Sequence, residues 1–199
     1  GYNAGAAVTT GTENVLIGGQ AGDALTTGAR NVAVGYDALS TEDGNGRSVA
    51  LGYYALRTQN AGAESYNVAV GYQAGAAVST GVNNVTIGGF AGDALTTGGY
   101  NVAVGYAALS TEDGHGRNTA IGQAALSTLN AGTDGNNVAV GYNSGYAMTT
   151  GSSNTLIGSN AGDALTTGGD NVAIGYGALG TEDAHGSNTA IGYNALTAQ

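Results

Sequence analysis

The stretch NVAVGYDAL at residues 31–39 returns with small changes along the whole chain, and the spacing of its first residue limits the fold more than any other feature. The recurrences begin at Asn14, Asn31, Ser48, Asn67, Asn84, Asn101, Asn118, Asn137, Asn154, Asn171 and Asn188, at intervals of 17, 17, 19, 17, 17, 17, 19, 17, 17 and 17 residues. Four units make a 70-residue super-repeat, framed at 1–70, 71–140 and an incomplete 141–199. GDALTTG at 22, 92 and 162 and TED at 41, 111 and 181 keep the same frame. A period near 20 residues marks a solenoid, in which each unit leaves an apolar side open for the next unit to cover. The 199 residues read as one such domain.

Within each unit the pattern is that of a strand. Val32 and Val34 fall on one side with Ala33 opposite, β-branched residues suit a pleated surface, and the glycine that follows ends the run. A second apolar stretch, Ala38-Leu39 here and Ala24-Leu25 or Ala94-Leu95 elsewhere, is expected to form a second short strand before a TTG or TEDGNG turn. Seventeen residues leave no room for a helix and its loops. The expected fold is all-β, a parallel β-solenoid (β-roll) of about twelve rungs and about 55 Å in length at the usual strand spacing. Leucine, valine and isoleucine supply three or four large core side chains per rung, a thin core. Several chains are therefore expected to pack side by side, or the stack to run on past both ends, where bare strands would otherwise be open edges. The opening GYNAG matches GYQAG at 71 and GYNSG at 141, which reads as an excerpt of a longer fibrous chain.

Composition narrows the function. Four arginines stand against fourteen acidic residues for a net charge of −10, a surface that repels nucleic acid and anionic lipid. The chain has no cysteine, so disulfides, thiol nucleophiles and zinc–thiolate sites are excluded. No run of roughly 20 apolar residues could enter a membrane. Collagen would need proline and a strict glycine triplet, whereas the 38 glycines here follow the longer period and no proline is present.

At NVAVGYDAL, NTAIGYNAL and the TTGxxN turns, the sequence resembles the repeats of phage and virus tail fibres and of bacterial surface proteins with NTAIGYxAL-type rungs. It is also similar to the head repeats of trimeric autotransporter adhesins, whose rung reads approximately NSVAIG. The resemblance spans essentially the whole chain. It implies a left-handed parallel β-roll, three chains wound about a common axis, and a role as shaft or adhesive head. The rungs here are longer than the adhesin unit, and the 70-residue super-repeat is not part of that pattern.

The rung-initial asparagines (Asn14, Asn31, Asn67, Asn84, Asn101, Asn118, Asn137, Asn154, Asn171 and Asn188) are read as a structural ladder of hydrogen-bonded amides that tolerates left-handed backbone at the corners. The glycine closing each xVG or xIG is read as a corner where a Cβ would not fit. Tyrosine follows that glycine at Tyr36, Tyr53, Tyr72, Tyr106, Tyr142, Tyr176 and Tyr193, as inter-chain plugs or as platforms for glycan rings. TEDGNG (41–46), TEDGHG (111–116) and TEDAHG (181–186) look like calcium-loop fragments but lack the further acidic ligands, and are read as turns of solvated acids holding no metal. His115 and His185 occupy equivalent repeat positions where the first copy has Asn45, which does not suit a catalytic centre. Asn84-Val85-Thr86 matches the N-glycosylation triplet but falls inside an expected strand. Every fourth rung gains two residues, in RTQNAGAESY (57–66) and STLNAGTDGN (127–136), a regular bulge on one side.

The resulting expectation is a non-enzymatic rod, without cofactor, in an extracellular or virion fibre, as shaft or host-contact segment. It would be a homotrimer or an end-to-end homopolymer located on a virion appendage or cell surface. The alternatives are a trimeric adhesin head binding glycans or host surface proteins, and a subunit of a self-assembling extracellular filament.

Overall fold

A computed structural model describes residues 1–181 and 184–197. It is an all-β solenoid with one three-residue strand per rung: β1 (Val15–Ile17), β2 (Val32–Val34), β3 (Val49–Leu51), β4 (Val68–Val70), β5 (Val85–Ile87), β6 (Val102–Val104), β7 (Thr119–Ile121), β8 (Val138–Val140), β9 (Thr155–Ile157), β10 (Val172–Ile174) and β11 (Thr189–Ile191). The strands pair in chain order in a single parallel sheet, with no helix among the described residues. Register never slips: Val15 faces Val32, Val49 faces Val68 across the longer third rung, and Ile174 faces Ile191. The two extra residues of each long rung are therefore absorbed outside the sheet.

Two expectations about the rung are corrected. The Ala-Leu stretch is not a second strand; it lies in a tight turn, and at Ala38-Leu39 and Ala108-Leu109 the leucine takes left-handed backbone, with φ of 53° at Leu39 and 52° at Leu109, whereas Leu25 and Leu95 do not. The strand is also turned the other way round. Ala33, Ala50, Ala69, Ala103, Ala120, Ala139 and Ala173 are fully buried, whereas the flanking valines and isoleucines point outward and lie outside the core. A rung this short encloses a narrow interior, and beside the sheet the inward position is mostly alanine, with Thr86 and Leu156 buried in the same place where the following turn carries glycine.

The larger core volume comes from the turn. Eight residues after each rung start, the backbone is left-handed with φ between 48° and 63°, and the residue is either leucine (Leu39, Leu56, Leu109, Leu126, Leu179) or glycine (Gly22, Gly75, Gly92, Gly145, Gly162). Left-handed backbone costs a leucine about 1 kcal/mol, and full burial of its side chain returns about 2 kcal/mol. In the glycine rungs the same space is filled from three residues further on, by the fully buried Leu25, Val78, Leu95, Met148 and Leu165. A Cβ on Gly22 or Gly92 would stand 2.8 Å from Cδ1 of Leu25 or Leu95, so in these rungs the two solutions exclude one another, whereas the longer rung from Asn118 buries both Leu126 and Leu129. In the leucine rungs that later position is free to hold Glu42, Gln59, Glu112 or Leu129. The two rung types alternate in pairs, which accounts for the four-rung super-repeat.

Candidate functional site

The inner polar column comes first. Each rung-initial side chain passes a hydrogen bond up the rod: Asn14 Oδ1 accepts from the N–H of Asn31 at 2.9 Å, Asn67 from Asn84 at 2.8 Å, Asn101 from Asn118 at 3.0 Å and Asn171 from Asn188 at 2.9 Å. The amide nitrogens mostly donate to the turn carbonyl 14 residues further on, Asn14 to Gly28 at 2.8 Å, Asn84 to Gly98 at 2.9 Å, Asn137 to Gly151 at 2.9 Å and Asn154 to Gly168 at 3.0 Å, while Asn118 donates to Gly116 at 3.3 Å. From Asn31 to Asn171 these side chains are buried with both amide ends engaged, so they offer nothing to a ligand, and Asn84 is closed to glycosylation. The left-handed backbone at this corner belongs to the preceding residue, for example Arg30 at 62°, Tyr66 at 50° and Asp170 at 57°, and not to the asparagine as expected.

At Ser48 the column is interrupted and a buried polar cluster replaces it. Ser48 Oγ lies 2.6 Å from Ser65 Oγ, and Gln59 Nε2 lies 3.0 Å from the first and 2.8 Å from the second. The same nitrogen reaches Glu42 Oε2 at 3.1 Å, while Gln59 Oε1 accepts from Asn67 at 2.9 Å. Glu42 Oε1 accepts from the Asn45 N–H at 3.1 Å. Glu42 and its counterpart Glu112 are fully buried, which corrects the picture of a turn of solvated acids. The sequence hid this because the TED loop is polar and glycine-rich, and only the leucine three residues earlier vacates the inner position.

Glu112, Asp113 and His115 each present a ligand atom within 4.8 Å of the others, with His115 Nδ1 3.3 Å from Glu112 Oε1. Glu112 already receives one backbone N–H on each oxygen, from His115 and Ala131, both at 3.2 Å. Each carboxylate oxygen thus has one of its two lone pairs engaged. In the third copy, Glu182 and Asp183 of TEDAHG lie outside the described residues.

The outer surface has two long features. The first and third residues of every strand face out, and only Thr119, Thr155 and Thr189 depart from valine, isoleucine or leucine along this face. Beside it runs the tyrosine row, 40–77% exposed. Tyr36 stacks on Tyr53 with centroids 5.6 Å apart and Tyr53 on Tyr72 at 5.3 Å; Tyr72 meets Phe90 edge-on at 5.2 Å, and Tyr176 stacks on Tyr193 at 5.3 Å. Gly19, Gly89, Gln123 and Ser159 interrupt the row, separating Tyr106 and Tyr142. Where the rings stack they cover one another's faces, leaving edges and hydroxyls as the accessible parts. A side-chain hydrogen bond with Tyr54, with burial and the neighbouring phenols adding to it, pushes the Tyr53 phenol up to about 12.

Three of the four arginines are spent on ion pairs between neighbouring rungs: Arg30 with Glu13 at 2.7 Å, Arg47 with Glu64 at 2.9 Å and Arg117 with Asp134 at 3.2 Å. Arg57 instead lies over the Tyr54 ring, 4.5 Å from its centroid, at the edge of a surface cleft of about 470 Å³. No family model matches this chain, and neither the curated proteins nor the solved structures contain a match.

Proposed function

We propose that the chain is a structural rod, a repeating segment of an extracellular or virion fibre, that acts by associating side by side with copies of itself and performs no catalysis. The observation that carries this reading is the outer sheet face. Eleven rungs at about 4.8 Å, each exposing about 10 Å of strand, give a strip of about 500 Å², at the upper end of what monomers leave bare. Ile17, Ile87, Ile121, Ile157, Ile174 and Ile191 on it are more than one-third exposed, and no strand residue bears a charge. A partner that covers such a strip along its length must repeat at the same pitch, and a second copy of this chain does so by construction. Closed cyclic symmetry would then place the strip on a common axis, with the tyrosine row at the seam.

Sedimentation velocity of the intact chain tests this directly. The expected result is a discrete trimer that Val34→Lys with Val104→Lys dissociates, while circular dichroism of the dissociated chain keeps its β signal. A chain that stays monomeric at every concentration overturns the rod reading, and unbounded polymers that survive the lysine pair favour the end-to-end filament instead.

A further inference from the structure

The cleft beside Arg57 spans three rungs, with Arg57, Ala76 and Asp93 nine residues after Ser48, Asn67 and Asn84. They are therefore stacked in one column. Ala76 lies between the Arg57 and Asp93 positions, whose backbones are about 10 Å apart, two rungs at the usual spacing. Among the described residues neither wall forms an ion pair. Arg57 has the Tyr54 ring against it and no acid within ion-pair distance, although its charge opposes the upward shift that burial and Asp23 impose on Asp37. Asp93 lines the cleft with an Oδ1 that is shielded from solvent and accepts no hydrogen bond. In a chain that pairs each of its other arginines, this is an unusual place to leave both charges open.

Most of the remaining polar lining has its protons committed. Thr58 donates to Ala76 O at 2.9 Å and Val78 O at 3.0 Å, Thr96 to Asp113 O at 2.6 Å, and Gln73 Nε2 to the Tyr72 hydroxyl at 3.2 Å. What the lining offers is a set of acceptor lone pairs, the Arg57 fork as the strong donor and the second amide proton of Gln73. An anionic ligand would meet Asp93 and a field of net charge −10, and a cationic one would meet Arg57. A hydroxyl donates and accepts at once and so suits both walls and the lone pairs between them. We propose that the cleft between Arg57 and Asp93 is a binding site for a saccharide unit, held by hydroxyl groups bridging the guanidinium and the carboxylate over Ala76. The volume holds one sugar ring with part of its neighbour, in the lower part of the range for small-molecule pockets. The site rests on turn residues rather than on the strand face, and its Gln73 borders the tyrosine row through the Tyr72 hydroxyl.

The chain supplies its own control. One super-repeat later the same column reads Ser127, Tyr146 and Asp163, so the middle position carries a ring and the guanidinium is gone. Arg57→Ser and Ala76→Tyr therefore install residues that this fold already accommodates. Saturation-transfer NMR on the intact chain, with methyl glycosides of glucose, galactose, mannose and N-acetylglucosamine and with glycine as a zwitterion, is the test. The expected result is transfer to at least one glycoside, weakened at least about tenfold by either variant, the size of one lost charge-assisted hydrogen bond. No transfer to any glycoside, transfer to glycine alone, or glycoside transfer that survives Ala76→Tyr each overturns the proposal.

Discussion

The corner around Gln59 and the corner around Leu129 hold the same place in the rod 70 residues apart, yet they bury different atoms. In the first, Ser48, Ser65 and Gln59 form a closed set of side-chain hydrogen bonds on Glu42. In the second, Asn118 restores the asparagine column and Leu129 makes the corner apolar, so Glu112 turns to the backbone of Ala131. The exchange is concerted. A Cβ on Gly135 would lie 2.2 Å from Asn118 Oδ1, so asparagine at one position requires glycine at the other, whereas Ser48 is short enough to admit Ser65. A break in a sequence repeat can thus be a complete alternative packing rather than a lost rung.

The largest effect should come from mixing the two solutions. Gly135→Ser places its side chain against Asn118 and should cost about 3 kcal/mol in denaturant unfolding, the upper end for overpacking. Adding Asn118→Ser should recover about half of that through a coupling of about 1–3 kcal/mol; simple additivity would mean that the two positions are independent. Next, Glu42→Leu removes the acceptor of the Asn45 N–H and one of the three oxygens around Gln59 Nε2, and should cost about 2 kcal/mol. Glu112→Leu, whose partners are two backbone N–H groups, tests whether a side-chain network is the dearer one to break. Thermal melts of the two variants give the order.

A smaller effect distinguishes Asp93 from Asp163. Burial raises the pKa of both, but Asp163 also accepts from the Ala164 N–H, which opposes the shift. A carboxyl whose folded pKa is raised destabilises the fold while ionised, and the penalty fades as pH falls through the folded value towards the ordinary aspartate range. Asp93→Asn should therefore raise the melting temperature at pH 7, more than Asp163→Asn does, and the gain should disappear on acidification. A gain that grows at low pH would reverse the sign. The smallest effect is expected for Arg117→Ala, whose exposed pair with Asp134 is worth under about 1 kcal/mol and should vanish in high salt.

The period, the parallel stacking and the role of each strand were legible in the spacing of the rung-initial residues, because a fixed interval can be satisfied only by coils laid in register. Which face of NVAVG turns inward was not, since alternation is symmetric and only the narrow interior selects Ala33 over Val32 and Val34. The left-handed leucines were invisible because their strain is offset by burial, a balance that no local propensity records. Of the open cleft, neither part stood out: Arg57 and Asp93 are 36 residues apart in the chain and meet only because two turns of the coil intervene.

The strand-end glycines have a mechanical consequence. From Gly18 to Gly175 each takes φ between 128° and 141°, and an added Cβ would stand 2.2–2.6 Å from the carbonyl oxygen of the glycine above. Along that edge, main chain rests directly on main chain with no side chain to act as a cushion. Such a spine is nearly incompressible, so the shaft should flex away from its glycine edge more readily than towards it, and a lateral load would be carried as tension on the opposite, side-chain-padded flank.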